Sequence, residues 1–161
     1  MAERPAVNAS PLIFLAGADL LELLLLAGTE IIVPSTVAAE IRRRGPADAT
    51  VQALERTRWL LITDAPPISP IIQAWSLGDG ESSVLAWAQA NPGTEAIIDD
   101  LAGRRCAAAL GIPVRGTLGL VLIAKQRGKI ASARAVLEQL RQSGMYLSDR
   151  VLSEAILLVG E

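Results

Sequence analysis

The sequence predicts a three-layer α/β/α sandwich around a mostly parallel sheet. Three observations carry that expectation. Short β-branched runs alternate with helical runs along the chain, the spacing expected of parallel βαβ units. Just over half the residues, 51%, are apolar, enough for a sizeable interior. The polar residues suited to chemistry also recur just after the β-like runs, where an open α/β sheet gathers its ligand crevice.

Taken in order, Ala6-Val7 opens the first expected strand, which ends at Asn8. Ser10-Pro11 reads as a helix start, with Ser10 capping and Pro11 at the first helical position. Asp19 to Ala27 reads as a leucine-rich helix closed by Gly28. Glu30 to Val33 is a strand ended by Pro34, and Ser35 caps a helix that Gly45-Pro46 breaks. Asp48 to Arg56 is helical, Trp59 to Thr63 a strand, and Asp64 to Pro70 a loop with three prolines. Gly78-Asp-Gly-Glu81 leads into a helix through Gln89, and Glu95 to Ile98 forms a strand ending in Asp99-Asp100. Leu101 to Leu110 is helical, Ile112 to Arg115 is the last strand, and Gly116-Thr117 opens a helix to about Gln126. Two amphipathic segments follow, Ser132 to Gln142 and Ser148 to Val159. With 161 residues and no repeat or linker, one domain is expected, its core over about 6–127 and a helical tail over about 130–160.

Composition removes several functional classes. There is no histidine, which excludes Ser-His-Asp and Cys-His nucleophiles and His-ligated zinc. Carboxylates, hydroxyls, lysine or arginine, and a hard cation bound through oxygen are what is left for strong chemistry. The net charge of −2 provides no overall basic field for nucleic acid, although Arg42 to Arg44 and Lys125, Arg127 and Lys129 form local clusters. The greasiest stretch, Leu20 to Ala27, contains Glu22 and falls short of the ~20 apolar residues a membrane span needs, so no membrane partner is expected. No signal peptide is expected behind Glu3 and Arg4. The single cysteine, Cys106, allows no intramolecular disulfide and fits a cytoplasmic location.

Asn8, Asp99-Asp100 and Gly116-Thr117 follow three different expected strands, Glu40 lies on the helix after another, and Glu81 sits in a first helical turn. Gathered carboxylates repel and lose solvation unless a cation neutralises them, so the set implies a metal, and oxygen ligation suits Mg²⁺ or Mn²⁺. Each member also has a purely structural reading. Glu81 fits a favourable helix-dipole charge, and Glu40 a partner of Arg43 or Arg44. One of Asp99 and Asp100, and also Thr117, fits a helix cap, and Asn8 with Ser10 an Asx turn. Asn8, Glu40, Glu81, Asp100 or Asp99, and Thr117 are therefore expected to converge at one sheet edge.

At these residues the chain resembles PIN-domain proteins, the nuclease fold of VapC-type toxins, and in particular a bacterial and archaeal branch of nucleic-acid-binding PIN proteins. The matching stretches are Val7 to Ile13, Ile32 to Ile41, Leu77 to Ala86, Ile97 to Arg105, Leu110 to Gly119 and Gly144 to Asp149. The resemblance implies acidic residues around Mg²⁺ or Mn²⁺ that cleave RNA. It puts Glu40, Glu81, Asp100 and Asp99 at the catalytic positions, with Asn8, Glu81, Asp100 and Asp99 around the metal. The first acidic position, ordinarily aspartate, is Asn8. Ser10 and Thr117 match hydroxyl positions near the ion, while Arg104 and Arg115 are candidates to hold phosphate.

Two functions are carried forward from this reading. One is a metal-dependent endoribonuclease, the toxin of a toxin–antitoxin pair with an antitoxin protein as partner. The other is a degenerate PIN scaffold that binds RNA or a protein without turnover. A receiver-like phosphoryl-transfer domain also uses strand-end acids, but the order of acids here does not supply its early acidic pair. A homodimer is expected, because the leucine-rich helix from Leu20 and the faces at Val136, Leu137, Ile156 and Leu157 exceed what one small sheet covers.

Overall fold

The structure, a computed structural model, describes residues 4–161; the first three residues, with Glu3, lie outside it. Five strands form one all-parallel sheet in the order β3-β2-β1-β4-β5. They are β1 (Ala6–Val7), β2 (Ile31–Pro34), β3 (Leu60–Thr63), β4 (Ala96–Ile97) and β5 (Val114–Arg115). The helices among the described residues are α1 (Ala9–Gly17), α2 (Ser35–Arg42), α3 (Ala49–Arg56), α4 (Pro70–Gln73), α5 (Asp79–Ala90), α6 (Leu101–Ala109), α7 (Thr117–Gln126), α8 (Ala133–Gln142) and α9 (Asp149–Leu158). A 3-10 helix over Leu21–Leu26 lies between α1 and β2.

Burial follows strand position. The residues of β1, β2 and β4 are all buried, whereas β3 and β5, at the edges, keep partly exposed positions. Parallel pairing places Ala6 opposite Ile32 on one side and Ala96 on the other. Helix α5 packs on β1, β2 and β4 and touches α2, α4 and α6, while α7 packs against α1, α8, α9 and the 3-10 helix. Leu12, Leu24, Ile32, Leu85, Ile97 and Leu120 are all less than 2% or at most 2% exposed within one continuous core. That core also includes Leu137, Leu140, Leu152 and Ile156 from α8 and α9.

The structure differs from the sequence reading at several elements. The first helix is capped by Asn8 and begins at Ala9, so Ser10 lies inside its first turn. The leucine-rich stretch is a 3-10 helix of Leu21–Leu26, because Asp19 adopts φ +58° just after α1 and interrupts the helical path. It ends at Leu26, with Ala27 as its C-cap, before Gly28 is reached. Within the expected proline loop, Pro70 begins the short α4, its fixed φ suiting a first turn. Leu137 and Ile156 are internal, 0% and 2% exposed, so they offer nothing to a second copy, whereas Leu157 and Leu158 are 73% and 74% exposed. Among the described residues, no helix is long and apolar enough to cross a membrane.

Because α8 shares the core, Leu137→Ala should destabilise the whole protein by about 2–5 kcal/mol, read from the urea midpoint. A helical tail that packed independently would leave that midpoint unchanged.

Candidate functional site

Strand order reverses between β1 and β4, so the chain leaves β1 towards one side of the sheet and β4 towards the other. In open α/β sheets this is where a crevice forms beyond the carboxyl ends of the strands. Asn8 follows β1 and Asp99-Asp100 follow β4, on either side of that opening, and Thr117 follows β5. Topology therefore assembles at one edge residues far apart in sequence.

Asn8 is 7% exposed and caps α1 in extended geometry, yet its side chain makes no capping hydrogen bond. Its amide oxygen faces Gly80 instead: a Cβ on Gly80 would stand 3.1 Å from Asn8 Oδ1 and 3.3 Å from Glu40 Oε2. The missing side chain lets the start of α5 lie against both polar groups. Asn8, Ser10, Glu40, Arg43, Asp79 and Glu81 share a pocket of about 320 Å³ there.

Glu81 is in the first turn of α5, and its Oε2 is buried with no hydrogen-bond partner. A Cβ on Gly103 of α6 would approach that oxygen to 2.9 Å, so this glycine too leaves room for the carboxylate. Burial, then the neighbouring Asp100 carboxyl, which is close enough to share a proton, and then Glu40 push the Glu81 pKa up to about 7. Asp100 is the cap of α6 and accepts from the Gly103 N–H at 3.2 Å. Of the two neighbouring aspartates, Asp100 is thus the cap and faces Glu81.

Asp99 is occupied differently. The backbone N–H of Thr117 donates to Asp99 Oδ1 at 2.7 Å, and the Thr117 hydroxyl donates to Oδ2 at 2.7 Å. Thr117 is fully buried, with both donors on Asp99. The pair ties the start of α7 to the end of β4, and it differs from a Thr117 hydroxyl turned towards water or phosphate. Arg115 is held by Glu95 through two contacts at 2.7 and 3.3 Å. Arg104 donates to the Ile98 carbonyl at 3.2 Å and lines the cleft beside Asp99 and Asp100.

Among the described residues, no three Asp, Glu or Cys side chains already stand in a ligating group. Glu81 and Asp100 supply two carboxylates, and the Asn8 amide oxygen is a neutral third donor. A cation that keeps several waters suits so small a set. An unpartnered buried carboxylate oxygen beside a second carboxyl is what such an ion would satisfy, so the donors fit a hard divalent cation. Sequence reasoning missed Gly80 and Gly103, whose role is the space they leave. The signal was present in Gly78-Asp-Gly-Glu81 and Leu101-Ala-Gly103, but only the packing of α5 on α2 and α6 gives it meaning.

Glu81 has an ordinary value of 4.5 when unfolded and about 7 when folded. Between those values the folded chain holds a proton that the unfolded chain has released, so stability should fall as pH rises through this window. Urea midpoints in EDTA from pH 4.5 to 8 should show the decline in the native protein and flatten it in Glu81→Gln.

A family model, DUF3368, described as a PIN domain, matches residues 5–161. No curated protein and no solved structure shows a significant match to the chain. The matched family has a nuclease-type fold and is generally dependent on divalent metal. The match spans nearly the whole chain, over the same β1, β4 and β5 ends that bring Asn8, Asp99, Asp100 and Thr117 to one edge, and on that ground the chain belongs to the PIN-domain family.

Proposed function

We propose that the protein is a Mg²⁺- or Mn²⁺-dependent endoribonuclease, acting as one domain over residues 1–161. The observation that carries this reading is the buried, unpartnered Glu81 Oε2 beside Asp100, at the crevice where the Asn8 amide oxygen also points. Two carboxyls side by side can relieve their repulsion by sharing a proton, and a bound cation would take that proton's place and leave both ionised. Glu81, Asp100 and Asn8 would hold the ion, with Asp99 kept beside them by Thr117. The ion supplies a bound water of lowered pKa and offsets charge on the phosphate.

The remaining steps belong to this chain. Glu40, facing the pocket across Gly80, takes the proton of the attacking water as that water's oxygen bonds to phosphorus. The ribose oxygen whose bond to phosphorus breaks leaves and takes a proton from solvent. The Arg104 guanidinium of the neighbouring cleft and Arg43 of the acidic pocket attract the phosphodiester, and the Ser10 hydroxyl, which lines both, donates to a phosphate oxygen. Arg115 contributes charge from behind its pair with Glu95. Partners in this reading are RNA and, for a toxin, an antitoxin protein, in a cytoplasmic setting. Two copies would pair through the exposed Leu157 and Leu158. Light scattering should then give a dimer mass for the native protein and a monomer mass for Leu157→Lys; a native monomer at all concentrations ends the pairing.

A second reading, a PIN scaffold that binds without cutting, is favoured by one feature, the neutral Asn8 where a carboxylate would add charge. Two unit charges ~4 Å apart are worth about 4 kcal/mol at an effective dielectric of 20, and a divalent ion doubles that, before the carboxylate's desolvation is subtracted. Asn8→Asp should therefore tighten Mg²⁺ or Mn²⁺ binding in calorimetry by about ten-fold or more. It should also raise cleavage of single-stranded RNA, and adding Asp100→Ala should remove both gains. Unchanged metal affinity would take Asn8 out of the site, and tighter binding without cleavage would favour the scaffold.

A further inference from the structure

A second concavity, of about 880 Å³, opens beside the acidic pocket, and the chemistry above uses only its charged end. Ser10 lines both spaces, and Asp99 and Asp100 line the larger one. Away from those acids the lining turns apolar, with Phe14 of α1, Leu118 and Leu122 of α7, and Met145 from the segment between α8 and α9. Two large side chains on this cleft face solvent. Leu101, at the start of α6, is 60% exposed, and Tyr146 is 91% exposed.

Tyr146 is the single tyrosine of the chain. It is not on a loose loop. Its neighbours Met145 and Leu147 are buried, and the Arg141 guanidinium donates to the Leu147 carbonyl at 3.1 Å and to Asp149 at 2.6 Å. An anchored segment thus presents a bare aromatic ring at the mouth of an apolar cleft. Arg104 lines the same cleft, and its guanidinium donates to the Ile98 carbonyl instead of pairing with a carboxylate.

We infer that this cleft receives an unpaired nucleobase of the strand whose phosphate lies at the acidic pocket, with the Tyr146 ring as its stacking surface. The inference rests on the nuclease reading and narrows its substrate to single strands. A planar exposed ring suits the face of a base, and base–aromatic stacking is worth about 1–3 kcal/mol per base, tolerant of sequence. Only an unpaired base offers its face, so a duplex cannot use the cleft. Arg104, lining the same cleft as the acids and the ring, attracts the sugar-phosphate backbone. A peptide strand is the competing occupant. The sheet edge on this side is β5, and its two residues give an added strand little backbone to pair with.

The test uses the full chain with Mn²⁺ and a fluorescent single-stranded 12-nucleotide RNA, followed by anisotropy and by initial rates. Tyr146→Ala should weaken binding and raise KM by about ten-fold, with kcat little changed and the melting temperature unmoved. Tyr146→Phe and Tyr146→Trp should keep native affinity, and the added tryptophan's emission should be quenched on binding. One abasic nucleotide next to the cleaved phosphate should cost the native protein the same factor and cost Tyr146→Ala nothing more. If Tyr146→Ala binds like the native protein while Glu81→Gln abolishes cleavage, the nuclease reading stands and the base site is wrong. That result leaves a peptide as the occupant. If binding depends on Tyr146 but no cleavage occurs, the base site stands and the turnover reading falls. A native protein that does not bind the RNA overturns both.

Discussion

Strand β1 contributes only Ala6 and Val7 to the sheet, yet it pairs on both sides, and the site depends on that double pairing. The Ile32 N–H donates to the Pro5 carbonyl at 2.8 Å, and the Asn8 N–H donates to the Ile97 carbonyl at 3.0 Å. With so few ladder bonds, the strand is fixed mainly by what covers it: Ala6 and Val7 are fully buried beneath α5 and its neighbours. One register step along a strand carries a residue to the opposite face. A slip of β1 would take Asn8 away from Gly80 and separate it from the end of β4. Packing of the sheet and placement of the donors are a single constraint.

The Asp99–Thr117 pair extends this constraint to the sheet edge. Strand β5 has two residues and is partly exposed, so its ladder alone holds α7 weakly. A carboxylate that takes both a backbone N–H and a hydroxyl bonds more strongly than a neutral acceptor would. Asp100, one residue on, caps α6 while facing Glu81. Two adjacent aspartates therefore divide the work, one joining strand to helix and the other ending in the pocket. Their neighbour Arg104 occupies the space that the absent side chain of Gly116 leaves, where a Cβ would come within 2.7 Å of its Nη1.

Much of this was legible in the sequence because the signals are local. The helix starts at Asp48, Ser132 and Ser148 hold, each residue capping through its own side chain, whereas Ser35, expected as a cap, is the first residue of α2 behind Pro34. The alternation of strands and helices located every strand, and the strand-end rule brought Asn8, Glu40, Glu81, Asp99, Asp100 and Thr117 into one neighbourhood. What was not legible depends on contacts between distant segments. Composition could not show that Leu137 and Ile156 turn inwards while Leu157 and Tyr146 turn outwards, since all four are large and apolar or aromatic. Neither could it show that Asp19 would take a left-handed conformation and split a leucine run from α1. Which aspartate caps a helix, and whether Thr117 serves a phosphate or an aspartate, is decided by where β5 ends relative to β4.

The solitary oxygen of Glu81 has a consequence for how this chain has been shaped. A glutamine in its place could donate to the Asp100 carboxylate, would carry no charge to repel it, and would fold more easily near neutral pH. One nucleotide change in a glutamate codon is enough to make that exchange, so the easier residue is always within reach of drift. Glutamate here therefore costs stability near neutral pH that glutamine would not, and an ion held between Glu81 and Asp100 would offset that cost.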